Sequence, residues 1–293
     1  MNPIQGVEET MLLGYNTNGL AHHNLLDAIE ILAEIGYASI AVTIDHYALN
    51  PYEDRLEEQL ARFETRLRSH GMRSVVETGA RFLLNPRVKH APTLMDPDPD
   101  ERDQRVDFYC RCIDIADQLG SDCVSIWSGI LHEAITAEKA LARLAEGLGR
   151  VLSYADRRAV TIGFEPEPGM FIDNLERFER LLDRLDSPYF HLTLDLGHLH
   201  CTGETPIAEH ILRWGHRIVN VHIEDMRQGI HEHLMFGEGE MDFPPIMEAL
   251  AEVGYRGGLH VELSRHSHNG VWAAKRAYDF LKPLIPKSAG SPQ

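Results

Sequence analysis

The chain has 293 residues, of which 43% are hydrophobic and 25% charged. That composition belongs to a globular protein that needs no disulfide or metal staple for its core, and the length admits two small domains or one large α/β barrel. Acidic residues outnumber basic ones, 45 to 28, and the net charge of −17 excludes nucleic acid and anionic membrane as general partners, because both are bound chiefly through Lys and Arg.

The first residues, MNPIQGVEETMLLGYN, lack the basic and apolar regions of a secretory signal. No apolar run approaches the roughly 18 residues of a membrane span. The four cysteines, Cys110, Cys112, Cys123 and Cys201, form no C-x-x-C pair. Free thiols and a reducing, cytoplasmic location are therefore expected.

Short apolar runs alternate with longer amphipathic segments. The pattern predicts a strand at 11–16, a helix over 23–35 closed by Gly36, and a second strand ending at Asp45. A helix over 52–69 leads to a strand at 73–78 (RSVVET), which a Pro-rich connection, 79–100, links to a helix over 101–119. After a strand at 123–127, segment 137–157 carries Leu141, Leu144, Leu148, Val151 and Ala155 three or four apart, the stripe of an amphipathic helix. Strands follow at 160–165 (VTIGFE), 191–195 (HLTLD), 218–224 (IVNVHIE) and 258–263 (GLHVEL), with helices over 173–185, 206–214, 243–253 and 270–282. A long connection, 225–242, follows the seventh strand, and 287–293 (KSAGSPQ) is expected to be a disordered tail. Eight strand-then-helix units without a break in composition predict a single (β/α)8 TIM barrel over 1–286, an α/β fold. A doubly wound open sheet would call for a glycine-rich first turn, and GYNTNG fits that poorly.

Strand alternation locates the chemistry. In the last four strands Phe164, Leu194, Val219, Val221, Ile223, Val261 and other large residues face the helices, so the intervening set points into the barrel. Each inward set ends on a metal-ligand type: Glu165, Asp195, His222 and Glu262. Three carboxylates converging at a barrel mouth repel one another unless protons or a cation intervene. One imidazole with three carboxylates suits Mn²⁺, Mg²⁺, Co²⁺ or Fe²⁺ better than a thiolate-type zinc site, although Zn²⁺ also accepts such ligands. A strand-end carboxylate taken alone is most often a cap, and a lone histidine a core residue; four consecutive strands ending in this way are not explained like that.

The segments FEPEPG, LTLDLGHLH, VNVHIEDM, GLHVELS and FGEGEMDFPPIMEALAEVGYRGGLHVE resemble the xylose-isomerase-like TIM-barrel superfamily. The likeness is to its sugar isomerase/epimerase branch, with ketose 3-epimerases and inosose isomerases or dehydratases as the related activities. The resemblance implies one divalent ion, Mn²⁺ foremost, held by Glu165, Asp195, His222 and Glu262, with Glu165 and Glu262 doubling as acid and base. It also implies a substrate-hydroxyl contact at His198 and a substrate-binding arginine at Arg227. Glu167, Glu224, His231 and His233 are further substrate-contact candidates, against a plainer reading of the two histidines as solvated loop residues. Glu165-Pro166-Glu167 stands where xylose isomerase proper has Glu-x-Lys, which speaks against a two-metal hydride shift.

The expected chemistry is proton abstraction α to a carbonyl, with the enediolate stabilised by the ion and a carboxylate on either side. Reprotonation on the opposite face is epimerisation. Loss of a β-substituent is the alternative, a lyase acting on a keto-sugar, keto-glycoside or inosose. No lysine ends a strand, so a Schiff-base aldolase lacks its nucleophile. FGEGE at 236–240 is the only candidate phosphate cradle, and an unphosphorylated sugar or cyclitol is the expected substrate. A homodimer or homotetramer is the expected assembly. An endonuclease would need a His-rich three-metal site and a basic groove; a non-catalytic scaffold would have no use for the ligands.

Overall fold

The computed structural model describes residues 11–286; the expected tail at 287–293 lies outside them. Eight parallel strands close a barrel in the order β1-β10-β7-β6-β5-β4-β3-β2. They are β1 (Leu12–Asn16), β2 (Ser39–Thr43), β3 (Arg73–Glu77), β4 (Val124–Ile126), β5 (Ile162–Phe164), β6 (Phe190–Asp195), β7 (Ile218–Ile223) and β10 (Gly258–Val261). The helices outside are α1 (Leu25–Ile35), α2 (Leu56–His70), α3 (Pro99–Leu119), α4 (Ala137–Asp156), α5 (Leu175–Leu182), α6 (Leu196–Thr202), α7 (Ile207–Trp214), α8 (Phe243–Glu252) and α9 (Gly270–Leu281). Among the described residues no helix is long and apolar enough to cross a membrane.

Five of these helices begin at a side-chain cap. Asn24, Asp98, Thr136, Asn174 and Asp195 each accept a first-turn backbone N–H with their side chain. The main core lies between barrel and helices. There Phe164, Phe178, Phe190 and Trp214 pack with ring centroids 5.5 to 5.9 Å apart. The barrel interior is largely polar: His260 lies 2.9 Å from Ser39 and 2.8 Å from Asn220, and Thr193 donates to Ser125 at 3.1 Å. Gly14 permits this arrangement, because a Cβ there would stand 2.3 Å from the His260 ring.

Three features differ from the sequence pattern. Alternation points Val219 at the helices, but the β6–β7 register slips, with Leu192 opposite Ile218 and Thr193 opposite Asn220. The extra residue turns Val219 inward onto Ala41, Val75 and Cys123. Second, LGHLHCT after Asp195 forms α6, too short to show a helical period. Third, the connection 225–242 is not one loop. Asp225–Arg227 (β8) and Ile230–Leu234 (β9) pair as an antiparallel hairpin around Gln228–Gly229, with Gly229 at φ 73°.

Segment 79–100 is pinned by a fully buried arginine. Arg105 donates to the carbonyls of Pro92 at 2.6 Å, Thr78 at 3.1 Å and His90, under the rings of Phe108, Tyr109 and Trp127. The clamp holds Arg81, Lys89 and His90 at the cavity wall.

Candidate active site

The four in-phase strand ends meet. Ligand atoms of Glu165, Asp195, His222 and Glu262 all lie within 4.8 Å of one another. His222 Nδ1 sits at the centre, 3.1 Å from Glu165, 3.2 Å from Glu262 and 3.9 Å from Asp195. On the other side of its ring Nε2 faces the Glu77 carboxylate at 2.9 Å. Carboxylates only accept, so both ring nitrogens carry protons as the groups stand; with an ion among the carboxylates, Nδ1 would give up its proton to ligate it while Nε2 keeps its bond to Glu77. Asp195 Oδ1 accepts the His198 backbone N–H at 2.8 Å, while its buried Oδ2 has no hydrogen-bond partner. Asn18 Nδ2 orients Glu262 through a 2.7 Å bond.

The electrostatics show a site that needs positive charge. Burial pushes Glu165 up to about 8 against the pull of His222. Burial alone would lower His222, yet Glu77 and Glu165 hold its imidazole well above the usual range. Burial would likewise raise Asp195, but His198, His233 and His222 hold it below the ordinary carboxylate value. Glu262 is also held low, with His222 and His233 outweighing burial. A proton between the carboxylates takes the place that a divalent cation would fill. The unpartnered Asp195 oxygen and the oxygen-rich donor set fit such an ion.

Glu165, His222 and Glu262 face a cavity of about 250 Å³, also lined by Asn16, Thr43, Arg81, Lys89, His90, Trp127 and Glu167; Asp195 lies behind them, outside its lining. Its volume is roughly eight liquid waters at ~30 Å³ each, room for one monosaccharide unit. Glu167 lies in it and burial pushes its carboxyl up to about 7, with Glu262 adding to the rise. His198, on the first turn of α6, lies with Nδ1 3.3 Å from the Pro166 carbonyl and Nε2 3.0 Å from His231. Burial presses His198 down to about 3.

The β8–β9 hairpin brings His231 and His233 into the cavity wall, so neither is a detached loop residue. Nitrogens of His198, His231 and His233 form a second compact group, and Asp195, Glu224 and His233 a third. Glu224 is fully buried with no hydrogen-bond partner, 3.6 Å from His233 Nδ1. It lies beneath α6 rather than in the cavity; a Cβ on Gly197 would stand 1.9 Å from its oxygen.

One expectation fails, and one open candidate is closed. Arg227 is exposed on the hairpin, donates to the Glu238 carbonyl at 2.8 Å and does not line the cavity; the arginine there is Arg81, from the third strand's connection. FGEGE is no phosphate cradle, because the Asp225 carboxylate takes the backbone N–H groups of Gly237, Gly239 and Met241 at 2.8 to 3.1 Å. His200, outside the cavity, faces Glu240 at 3.7 Å. Glu77 and Asn18 were not picked out by the alternation of the last four strands. The same alternation in RSVVET, with Arg73, Val75 and Glu77 on one face, carries the signal for Glu77. Nothing in TNGL marks Asn18.

The sequence model of the family described as "Xylose isomerase-like TIM barrel" matches residues 29–284. An L-ribulose-5-phosphate 3-epimerase of Escherichia coli is 23% identical over 265 residues, 90% of each chain. The crystal structure of a D-allulose 3-epimerase from Methylomonas sp. in complex with D-allulose superposes with a TM-score of 0.74 at 19% identity, covering 94% of this chain and 98% of that one. A 3-keto-D-glucoside 4-epimerase from E. coli gives 0.75 at 14% identity, covering 93% and 99%.

Proposed function

The chain belongs to the xylose isomerase-like TIM-barrel family, and from that premise we propose that it is a divalent-metal-dependent epimerase or isomerase of a keto-sugar or cyclitol. One observation carries the reading. Glu165 and Glu262 stand just past β5 and β10, three strands apart around the barrel, and both reach the same imidazole within 3.2 Å. Two carboxylates approaching from well-separated walls are what removal of a proton from one face and delivery to the other require. Glu165, Asp195, His222 and Glu262 would hold the ion, whose contribution is Lewis-acid polarisation of a carbonyl and its neighbouring hydroxyl. Oxygen-rich ligation favours Mn²⁺ among the candidates.

The chain's own groups do the rest. Glu165 and Glu262 exchange the proton at the carbon next to the carbonyl. His198, His233, Glu167 and Asn16 supply hydroxyl contacts. A lyase outcome is the second reading, supported by Glu167, a third carboxyl in the same cavity and a proton donor for a leaving group. The three-histidine group removes one argument against an endonuclease. A cavity sized for one sugar and a charge of −17 still speak against duplex nucleic acid. We place the protein in the cytoplasm, consistent with its four free cysteines, and as a homo-oligomer.

Elemental analysis tests the site: one divalent ion per chain is expected, lost in Asp195→Asn and His222→Ala. Incubation of ketohexoses, keto-glycosides and inososes in deuterated water tests the chemistry. Deuterium at the carbon α to the carbonyl, absent with Glu262→Gln, is the expected result. Full metal occupancy in both ligand variants would remove the basis of the reading.

A further inference from the structure

Below the cluster the barrel interior holds three fully buried polar side chains, Ser39, Asn220 and His260. They form a hydrogen-bond relay whose direction is fixed at one end. Asn220 Nδ2 stands 3.1 Å from Glu77 Oε1, and a carboxylate accepts, so the amide nitrogen faces Glu77. The amide oxygen is left for His260 Nδ1, at 2.8 Å. It too only accepts, so Nδ1 carries a proton. The other nitrogen of a neutral ring then accepts from the Ser39 hydroxyl, 2.9 Å away. Every proton in the relay points toward Glu77. There Asn220 Nδ2 and His222 Nε2 converge on the same oxygen, at 3.1 and 2.9 Å, and stand 3.1 Å from each other.

The relay crosses the barrel. Ser39 starts β2, His260 lies on β10, Asn220 on β7, and Glu77 ends β3. β7 and β3 stand four places apart either way round the eight strands, on opposite walls. β1 separates β10 from β2, and its Gly14 leaves room for the His260 ring to reach Ser39. A Cβ on Gly14 would stand 2.3 Å from that ring, and one on Gly258 2.1 Å. Two strand glycines thus make space for an imidazole that packing alone does not ask for. Burying an amide, an imidazole and a hydroxyl costs more than burying aliphatic side chains unless each is paired. A directed relay also polarises its own bonds and strengthens the last of them. That last bond is the one to Glu77.

We propose that Asn220 and His260 are positioning residues of the proposed metal centre. They hold the Glu77 carboxylate from below, and Glu77 in turn fixes the ring of His222. His260 bonds to none of the four proposed ligands and does not line the cavity, so its influence on an ion runs through Asn220 and Glu77. This rests on the reading of Glu165, Asp195, His222 and Glu262 as a metal site.

The test compares two amides at position 260, with Mn²⁺ affinity read by competition with a chelating dye and folding by thermal melts. His260→Asn places an amide N–H where Nδ1 stands and keeps the bond to Asn220. His260→Gln carries its amide one carbon further, at the level of Nε2, and loses that bond. A role in packing alone favours glutamine, the closer of the two to histidine in size. Positioning favours asparagine. Affinity is expected within about twofold of wild type in His260→Asn and about fivefold weaker in His260→Gln, less than the 10- to 100-fold typical of groups that touch a ligand directly. In a Glu77→Ala background, where the relay has lost its end, the two should differ by less than about twofold. Equal affinities, glutamine above asparagine, or a difference that persists without Glu77 would overturn the positioning role. Should neither variant fold, Ser39→Ala takes their place. It withdraws only the hydroxyl that anchors Nε2, and about a threefold loss of affinity is expected; an unchanged affinity overturns the role. A wild type that binds no Mn²⁺ removes the metal reading itself. Mn²⁺ bound equally by wild type and every variant at position 260 leaves that reading standing and removes the relay.

Discussion

Replacing Glu77 by Gln isolates the group that aims His222. Glu77 Oε1 accepts from His222 Nε2 at 2.9 Å and from Asn220 Nδ2 at 3.1 Å, and the carboxylate touches none of the other three proposed ligands. Glutamine keeps the shape and an accepting oxygen but removes the charge. A charge-assisted hydrogen bond contributes about 1.5–3 kcal/mol and a neutral one about 0.5–1.5, so the loss is roughly 1–1.5 kcal/mol. At 1.4 kcal/mol per decade that is about tenfold in metal affinity, the lower end of the 10- to 100-fold that such supporting partners typically contribute. Competition between the protein and a chelating dye for Mn²⁺ measures it, with circular dichroism as the control for folding. A folded Glu77→Gln protein binding Mn²⁺ within twofold of the wild type would refute the assignment of Nε2–H to Glu77 and of Nδ1 to the ion.

Two further outcomes follow from the geometry. In chelator-treated protein, Glu165 is pushed from 4.5 when free to about 8 when folded, so the folded state holds the extra proton between those values. Stability should therefore fall as pH rises through that window, by at most about 1.4 kcal/mol per pH unit. Thermal melts from pH 5 to 8 should show a slope that Glu165→Gln flattens and bound Mn²⁺ removes; an unchanged slope in the variant would locate the effect elsewhere. Asp225→Ala withdraws the acceptor from the N–H groups of Gly237, Gly239 and Met241, of which the Met241 bond is buried, and at about 1–3 kcal/mol for a donor left buried it should lower urea stability by about that amount. A loss under 1 kcal/mol would mean that water replaces the carboxylate freely.

The barrel and the heart of its site were legible from the sequence because strand alternation is a local property. A pleated backbone sends every second residue to the same side wherever the strand lies, so Phe164, Leu194 and Val261 facing out imply Glu165, Asp195 and Glu262 facing in. Even there the rule failed at Val219, where a register slip against β6 inserts a residue, and one strand cannot reveal its partner's register. His222 survived because it lies beyond the slip.

The surroundings of the site were decided by contacts between distant parts of the chain. Asn18 and Glu262 are 244 positions apart and Glu77 and His222 145 apart; no window on the sequence contains either pair. Arg227 pointed toward a substrate on paper and turns to solvent because β8 and β9 pair. Arg81 reaches the cavity because Arg105 ties down the segment that carries it. FGEGE reads as an anion cradle, and its anion is the protein's own Asp225. Alternation determined which side chains enter the barrel; closure of the sheet and packing of its loops decided which of them meet.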